Sequence, residues 1–259
     1  MRARRNRSTS RLPNKSGAQQ RPHPGNGRPK ASARALAQVI ERSARLQGPA
    51  AEAYVARLRN THPGISPAGV VTKLQRRYVA LVTCSGIAVG AAATIPGIGT
   101  LSALSAAAAE TVAFLEATAF FVLAVAVAHG IPAEHRERRR ALVLSVLVGD
   151  KGTQAVAPLI GPSRTNGGWI AESVAALPLS SMSGLNSRLL KAWAKRYTVR
   201  RSALVFGKLL PVGIGIVVGA VGNHLAGKKI VRNAHQAFGP PPARWPRTLH
   251  VVPPISETG

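Results

Sequence analysis

Apolar positions in this chain recur every three or four residues, or run together in long blocks, and nowhere alternate two by two between turn signals. Three- and four-residue spacing gathers side chains on one face of a helix, whereas a half-buried strand needs a period of two. The pattern predicts an all-α helical bundle. Ala35 to Gln47 sets Leu36, Val39, Ile40 and Leu46 near one face, and Pro49 to Arg59 reads as a second short helix. Ser66-Pro67 opens a longer one. The serine oxygen can accept from a free first-turn N–H, and proline at the first position lacks an N–H that would go unbonded anyway. Pro132 opens a helix charged from Glu134 to Arg140 and apolar from Ala141 to Val148. Ser187 to Arg201 is basic and amphipathic, with Leu189, Leu190, Trp193 and Tyr197 set among Arg188, Lys191, Lys195, Arg196 and Arg200. Gly239 is placed to stop the last helix, with three prolines after it.

Two apolar stretches stand out. Val79 to Ile131 carries only two formal charges, Glu110 and Glu116, and is broken at Ile95-Pro96-Gly97-Ile98-Gly99. Ala203 to Ala226 is broken at Leu210-Pro211-Val212-Gly213-Ile214-Gly215. Both read as helical hairpins, with Pro96, Gly97 and Gly99 breaking the first and Pro211, Gly213 and Gly215 the second. The arm Val79–Ile95 would span ~25 Å as a helix, the lower limit for crossing a bilayer. The arm Leu101–Ala128 is long enough but holds both carboxylates. A lone charge at mid-membrane costs ~3 kcal/mol, so Glu110 and Glu116 are expected to be buried acids facing protein or water. Six residues set them ~120° apart on a helix, too far round for one acid–base pair. Each is expected to pair with a basic residue such as Lys208, or to reach water. Gly86 and Gly90 lie four apart, as do Gly215 and Gly219, a spacing that lets helix backbones approach closely.

Charge sharpens this picture. There are 35 Lys and Arg against 9 Asp and Glu, a net charge of +26, yet 46% of residues are hydrophobic. Basic and apolar together point to membranes carrying anionic lipids. Residues 1–34 hold ten Lys and Arg and no acid, and are expected to be a disordered basic tail. Residues 240–259 form a Pro-rich irregular tail, leaving 35–239 as the helical domain. Basic clusters bracket both hairpins: Arg76 and Arg77; Arg138, Arg139 and Arg140; Lys195, Arg196, Arg200 and Arg201; and Lys228 and Lys229. The positive-inside rule then keeps both ends of each hairpin, and both termini, cytoplasmic, so each hairpin crosses twice or dips and returns. Trp193 is either an interfacial anchor or a core tryptophan. The first 35 residues hold no apolar stretch of the kind a secretion signal needs.

Chemical motifs are few. Gly222 to Lys229 matches a phosphate loop except that Lys229 stands where a magnesium-binding Ser or Thr belongs, and a helix rather than a strand precedes it. His129, His135, His224 and His235 share no ligand spacing, and Cys84 is the one cysteine, so no metal site is expected. No catalytic set emerges: no enzyme activity and no cofactor are expected.

The order Gly86 to Gly99, His129-Gly130-Ile131-Pro132, Val148-Gly149-Asp150, Leu210 to Gly215, Gly219, Asn223 and Val231 to Phe238 resembles the EcsC family of bacterial proteins over residues 66–239. The resemblance implies a helical, membrane-associated protein without an established enzymatic activity. The function expected is therefore that of a membrane-associated protein, an accessory to a transporter or to the cell envelope. Its partners would be anionic lipid and a membrane protein or a second copy. The alternative is a basic nucleic-acid-binding protein using its N-terminal tail, although few aromatic residues are available to stack on bases.

Overall fold

Eight consecutive residues, Ala141 to Val148, are buried on every side. A helix without an exposed face must sit inside other helices, and the fold is built around this one. The computed structural model describes residues 31–92, 100–131, 135–149, 171, 173–174, 177–205 and 214–245. Among them all regular structure is helical: α1 (Ala31–Thr61), α2 (Pro67–Ala92), α3 (Thr100–Ala128), α4 (Arg136–Val148), α5 (Leu179–Val205) and α6 (Ile214–Phe238). The central α4 touches α1, α3, α5 and α6.

The boundaries follow local chemistry where caps are present. The Gly69 N–H donates to Ser66 Oγ at 3.1 Å, so α2 starts at Pro67 as its sequence predicts. Gly239 ends α6 with a positive φ of +71°, its N–H donating to His235 O. Gly149 ends α4 in the same way, at φ +66°. Here the packing also requires glycine, because a Cβ would lie 2.7 Å from Asn233 Nδ2.

The N-terminal region departs from expectation. Ala35–Gln47 and Pro49–Arg59 are not two helices but parts of α1, which runs through Pro49. The buried positions Ile40, Ala44, Gly48, Ala51, Val55 and Leu58 form one unbroken stripe at three- and four-residue spacing. Pro49 cannot donate to the carbonyl of Arg45, but both residues are exposed, so water can take that carbonyl. Packing along the stripe overrides the proline. The helix also begins at Ala31, four residues inside the expected tail; two alanines in its first turn favour this. Leu46 lies off the stripe and is exposed.

The two Pro/Gly breaks fall between helices. α2 ends at Ala92 and α3 starts at Thr100; α5 ends at Val205 and α6 starts at Ile214. Pro96, Gly97, Gly99, Pro211 and Gly213 lie outside the described residues, as does Pro132. Gly215 falls inside α6, so it is not part of the break. α2 and α3 do pack on each other across the first break, but each has a larger neighbour: α2 lies mainly along α6, and α3 mainly along α1.

The antiparallel α2–α6 pairing has a direct cause. A Cβ on Gly86 would collide with the carbonyl oxygen of Gly219, and one on Gly219 with that of Gly86. A Cβ on Gly227 would sit 2.8 Å from Val82 Cγ2. Backbones this close require glycine. The four-residue glycine spacing therefore joins one arm of each expected hairpin to an arm of the other.

Around α4 the core is aliphatic, with an aromatic layer between α1, α2 and α3. Tyr78 stacks on Phe121 at 4.7 Å, and Tyr54 meets Phe120 edge-on at 5.4 Å. The Thr118 hydroxyl donates to Phe114 O at 2.7 Å, so its oxygen accepts the Tyr78 O–H at 2.8 Å. Burial pushes the Tyr78 phenol well above its ordinary ionisation range, opposed only in part by that hydrogen bond. Past α6, residues 240–245 hold no regular structure, but Trp245 is pinned: its Nε1–H donates to Ile65 O at 2.8 Å, and Arg59 lies over its ring at 4.4 Å.

Candidate functional site

The outer face of α6 changes character within one turn. Val217, Val218, Val221 and Leu225 are exposed, Val217 by 61% and Leu225 by 60%. Lys228 and Arg232 continue the same stripe at helical spacing and are also exposed. On α2 the order is matched in reverse. Arg76 and Arg77 are exposed, followed by Ala80, Leu81, Cys84, Ile87 and Ala88, with Leu81 exposed by 59%.

Because the two helices run antiparallel, the two changes fall at one level. Gly86 lies against Gly219, Asn223 reaches Val82, and Gln75 Nε2 meets His235 Nε2 at 2.8 Å. This register sets Arg76 and Arg77 level with Lys228 and Lys229, and Leu81 level with Leu225, along the axis of the pair. Each helix thus carries an exposed apolar strip, and both strips give way to a collar of basic residues at the same level of the pair. Arg77 is partly engaged, since its Nη1 donates to the Tyr54 hydroxyl. Lys229 is half-buried. Neither α2 nor α6 contains an acidic residue.

A polar node lies behind the strip, between α2, α3 and α6. Asn223 Nδ2 lies 2.6 Å from Glu110 Oε1, 2.9 Å from Val82 O and 3.4 Å from Ser85 Oγ. Two amide hydrogens serve the two nearer acceptors. Ser85 Oγ itself donates to Val82 O. Glu110 is thus a half-buried acid, as its position in an apolar arm predicts, and among the described residues its partner is the Asn223 amide. Lys208 lies outside the described residues. Glu116 is half-buried about one and two-thirds turns further on. Next to the node, Thr83 Oγ1 and His224 Nδ1 are 3.3 Å apart.

The remaining basic candidates are elsewhere. Arg138, Arg139 and Arg140 are not an open basic patch: all three are half-buried at the start of α4. Arg138 reaches toward Leu177 O at 3.5 Å, Arg140 pairs with Glu41 at 3.8 Å, and the Arg139 side chain fills the space that a Cβ on Gly48 would take. Packing of α4 against α1 draws them in. Beside them Asn186 Nδ2 donates to Glu137 Oε2 at 2.7 Å, tying α5 to α4. Trp193 is a core tryptophan, 6% exposed among Leu189, Leu185 and Met182, and not a surface anchor. Lys195, Arg196, Arg200 and Arg201 lie on α5, with side chains outside the described residues.

Gly222 to Lys229 lies within α6. Its N–H groups are committed to the helix ladder and cannot cradle a phosphate. Among the described residues one helix segment, Ala108–Ala128, is long and apolar enough to cross a membrane, and the core helix of a folded domain meets the same test. No protein family, curated protein or solved structure matches the chain.

Sequence reasoning missed Val217, Val218, Val221 and Leu225 as a surface. Their run is expected only as part of an apolar hairpin that crosses a membrane or dips into it, and the three- and four-residue continuation into Lys228 and Arg232 marks which face is outward.

Proposed function

We propose that this is a membrane-associated helical protein, EcsC-like in its order of motifs, that binds bilayers carrying anionic lipid and serves there as an accessory to a transporter or to the envelope. One observation carries the reading: an uncovered apolar strip on two helices runs directly into exposed arginine and lysine. The overall charge of +26 supports the same reading. A fully buried Val or Leu side chain contributes ~1.5 kcal/mol or more, and a basic residue at an anionic surface ~1 kcal/mol. With six large apolar side chains against four exposed cations, the apolar term dominates. Binding is therefore expected to survive salt in part.

Flotation of the full chain with phosphatidylcholine vesicles, with and without phosphatidylglycerol, tests this. The chain should float with the anionic vesicles and stay largely bound at 0.5 M salt. Failure to float with either vesicle would sink the reading. Complete release by salt would leave only charge attraction and restore the nucleic-acid alternative.

A further inference from the structure

We infer that the α2–α6 pair is the part that enters the membrane, as a wedge with Leu81, Ile87, Val217, Val221 and Leu225 at acyl-chain level and Arg76, Arg77, Lys228 and Arg232 at the headgroups. This rests on the membrane reading above but adds the surface, its orientation and its depth, and it takes insertion away from α3, the element whose composition alone suggests it.

Depth follows from the register. Leu81 to Ile87 rises ~9 Å along α2, and Val217 to Leu225 ~12 Å along α6. A hydrocarbon core is ~30 Å thick, and interfacial elements bury their apolar faces ~5–10 Å deep. The exposed strip thus matches part of one leaflet. The collar falls one turn outside it on both helices, where phosphates would lie.

The apolar segment of α3 is held inside the protein. Phe121 to Ala126 are fully buried, Phe121 beneath Tyr78 and Phe120 against Tyr54. Carrying this segment into lipid would strip it from α1 and uncover the all-apolar α4. The α2–α6 strip needs no such rearrangement because it is already bare.

Charge selects the occupant. Every charged residue on α2 and α6 is basic, so the collar has no complement on a second copy of the same face. An anionic lipid surface supplies both the negative charge and the hydrocarbon. Nothing between the strip and the collar separates the two demands.

Cys84 lies exposed on the strip and is the chain's one cysteine, which provides a depth gauge. The full chain would carry the fluorophore NBD at Cys84, or at position 228 in a Lys228→Cys, Cys84→Ser variant. Both would be bound to phosphatidylglycerol-containing vesicles bearing quenching nitroxides at the headgroup or along the acyl chain. The Cys84 label should shift to the blue and be quenched best from the acyl chain; the label at 228 should be quenched best from the headgroup. Val221→Asp should lower vesicle partitioning at least tenfold, while Leu46→Asp, at an exposed leucine of α1, should leave it unchanged. Circular dichroism confirms that each variant keeps its helices. Flotation with the Cys84 label still open to aqueous iodide, or with Val221→Asp binding normally, would overturn the wedge and leave membrane association standing. Absence of flotation by the unlabelled chain would instead remove the reading on which the wedge rests.

Discussion

Asn223 sits where three helices meet and satisfies a half-buried carboxylate and a backbone carbonyl with one amide group. Removing it takes the amide donor from Glu110, while Val82 O keeps the Ser85 hydroxyl, and a buried acceptor that loses its donor costs ~1–3 kcal/mol. Asn223→Ala should lower unfolding free energy by about that amount in urea titration, while Glu110→Gln, which keeps an acceptor oxygen, should cost less. Tyr78 gives a pH signature. Its phenol titrates well above 10 in the folded chain, so the folded state disfavours the phenolate relative to the unfolded state. Its contribution is fully present below the unfolded value near 10 and declines as pH rises above it, because the unfolded chain then loses the proton first. Chemical denaturation should show stability falling above pH ~10, and Tyr78→Phe should flatten that fall. At this scale Glu110 was legible as a buried acid because a charge in an apolar arm has few alternatives. Its partner was not, because Asn223 is 113 residues away in sequence and asparagine gives no local signal of a long-range bond.

Helices were legible wherever a cap or a break marks them. Ser66-Pro67, Gly239 and the two Pro/Gly interruptions all fall at or between element ends. Pro49 misled because the rule against proline in a helix describes the local cost, and tertiary burial on both sides of it outweighs that cost. Pro49→Ala should then raise stability by ~1 kcal/mol or more, read as a higher melting temperature, since a helix hydrogen bond is restored without loss of packing. The pairing of elements was not legible either. Two arms joined by a short break suggest a hairpin, but Gly86, Gly219 and Gly227 give α2 and α6 a closer fit than the chain connection offers. Gly86→Ala should separate that pair and cost several kcal/mol, since the obstacle is a backbone carbonyl that cannot turn aside.

For the molecule as a whole, composition indicated a basic, apolar, helical protein, and the all-helical fold agrees. Composition did not show how the apolar residues divide. The C-terminal half of α3 and all of Ala141–Val148 go to the core, while α2 and α6 keep an outer strip bare. An apolar run carries no mark of which side its neighbours will take. On the membrane reading, the basic segment 1–30 adds long-range attraction and the wedge adds residence. Deleting 1–30 should therefore slow association and weaken its salt dependence in stopped-flow vesicle binding, with little change in dissociation rate.

The Gly86–Gly219 contact also sets how much room the protein takes up sideways. Ordinary helix pairs stand 8–10 Å apart, whereas these two are in backbone contact. A pair so thin displaces little lipid for the apolar surface it brings. Spread against a phospholipid monolayer, it should keep inserting at lateral pressures that exclude bulkier helical pairs, and each molecule should enlarge the film by less.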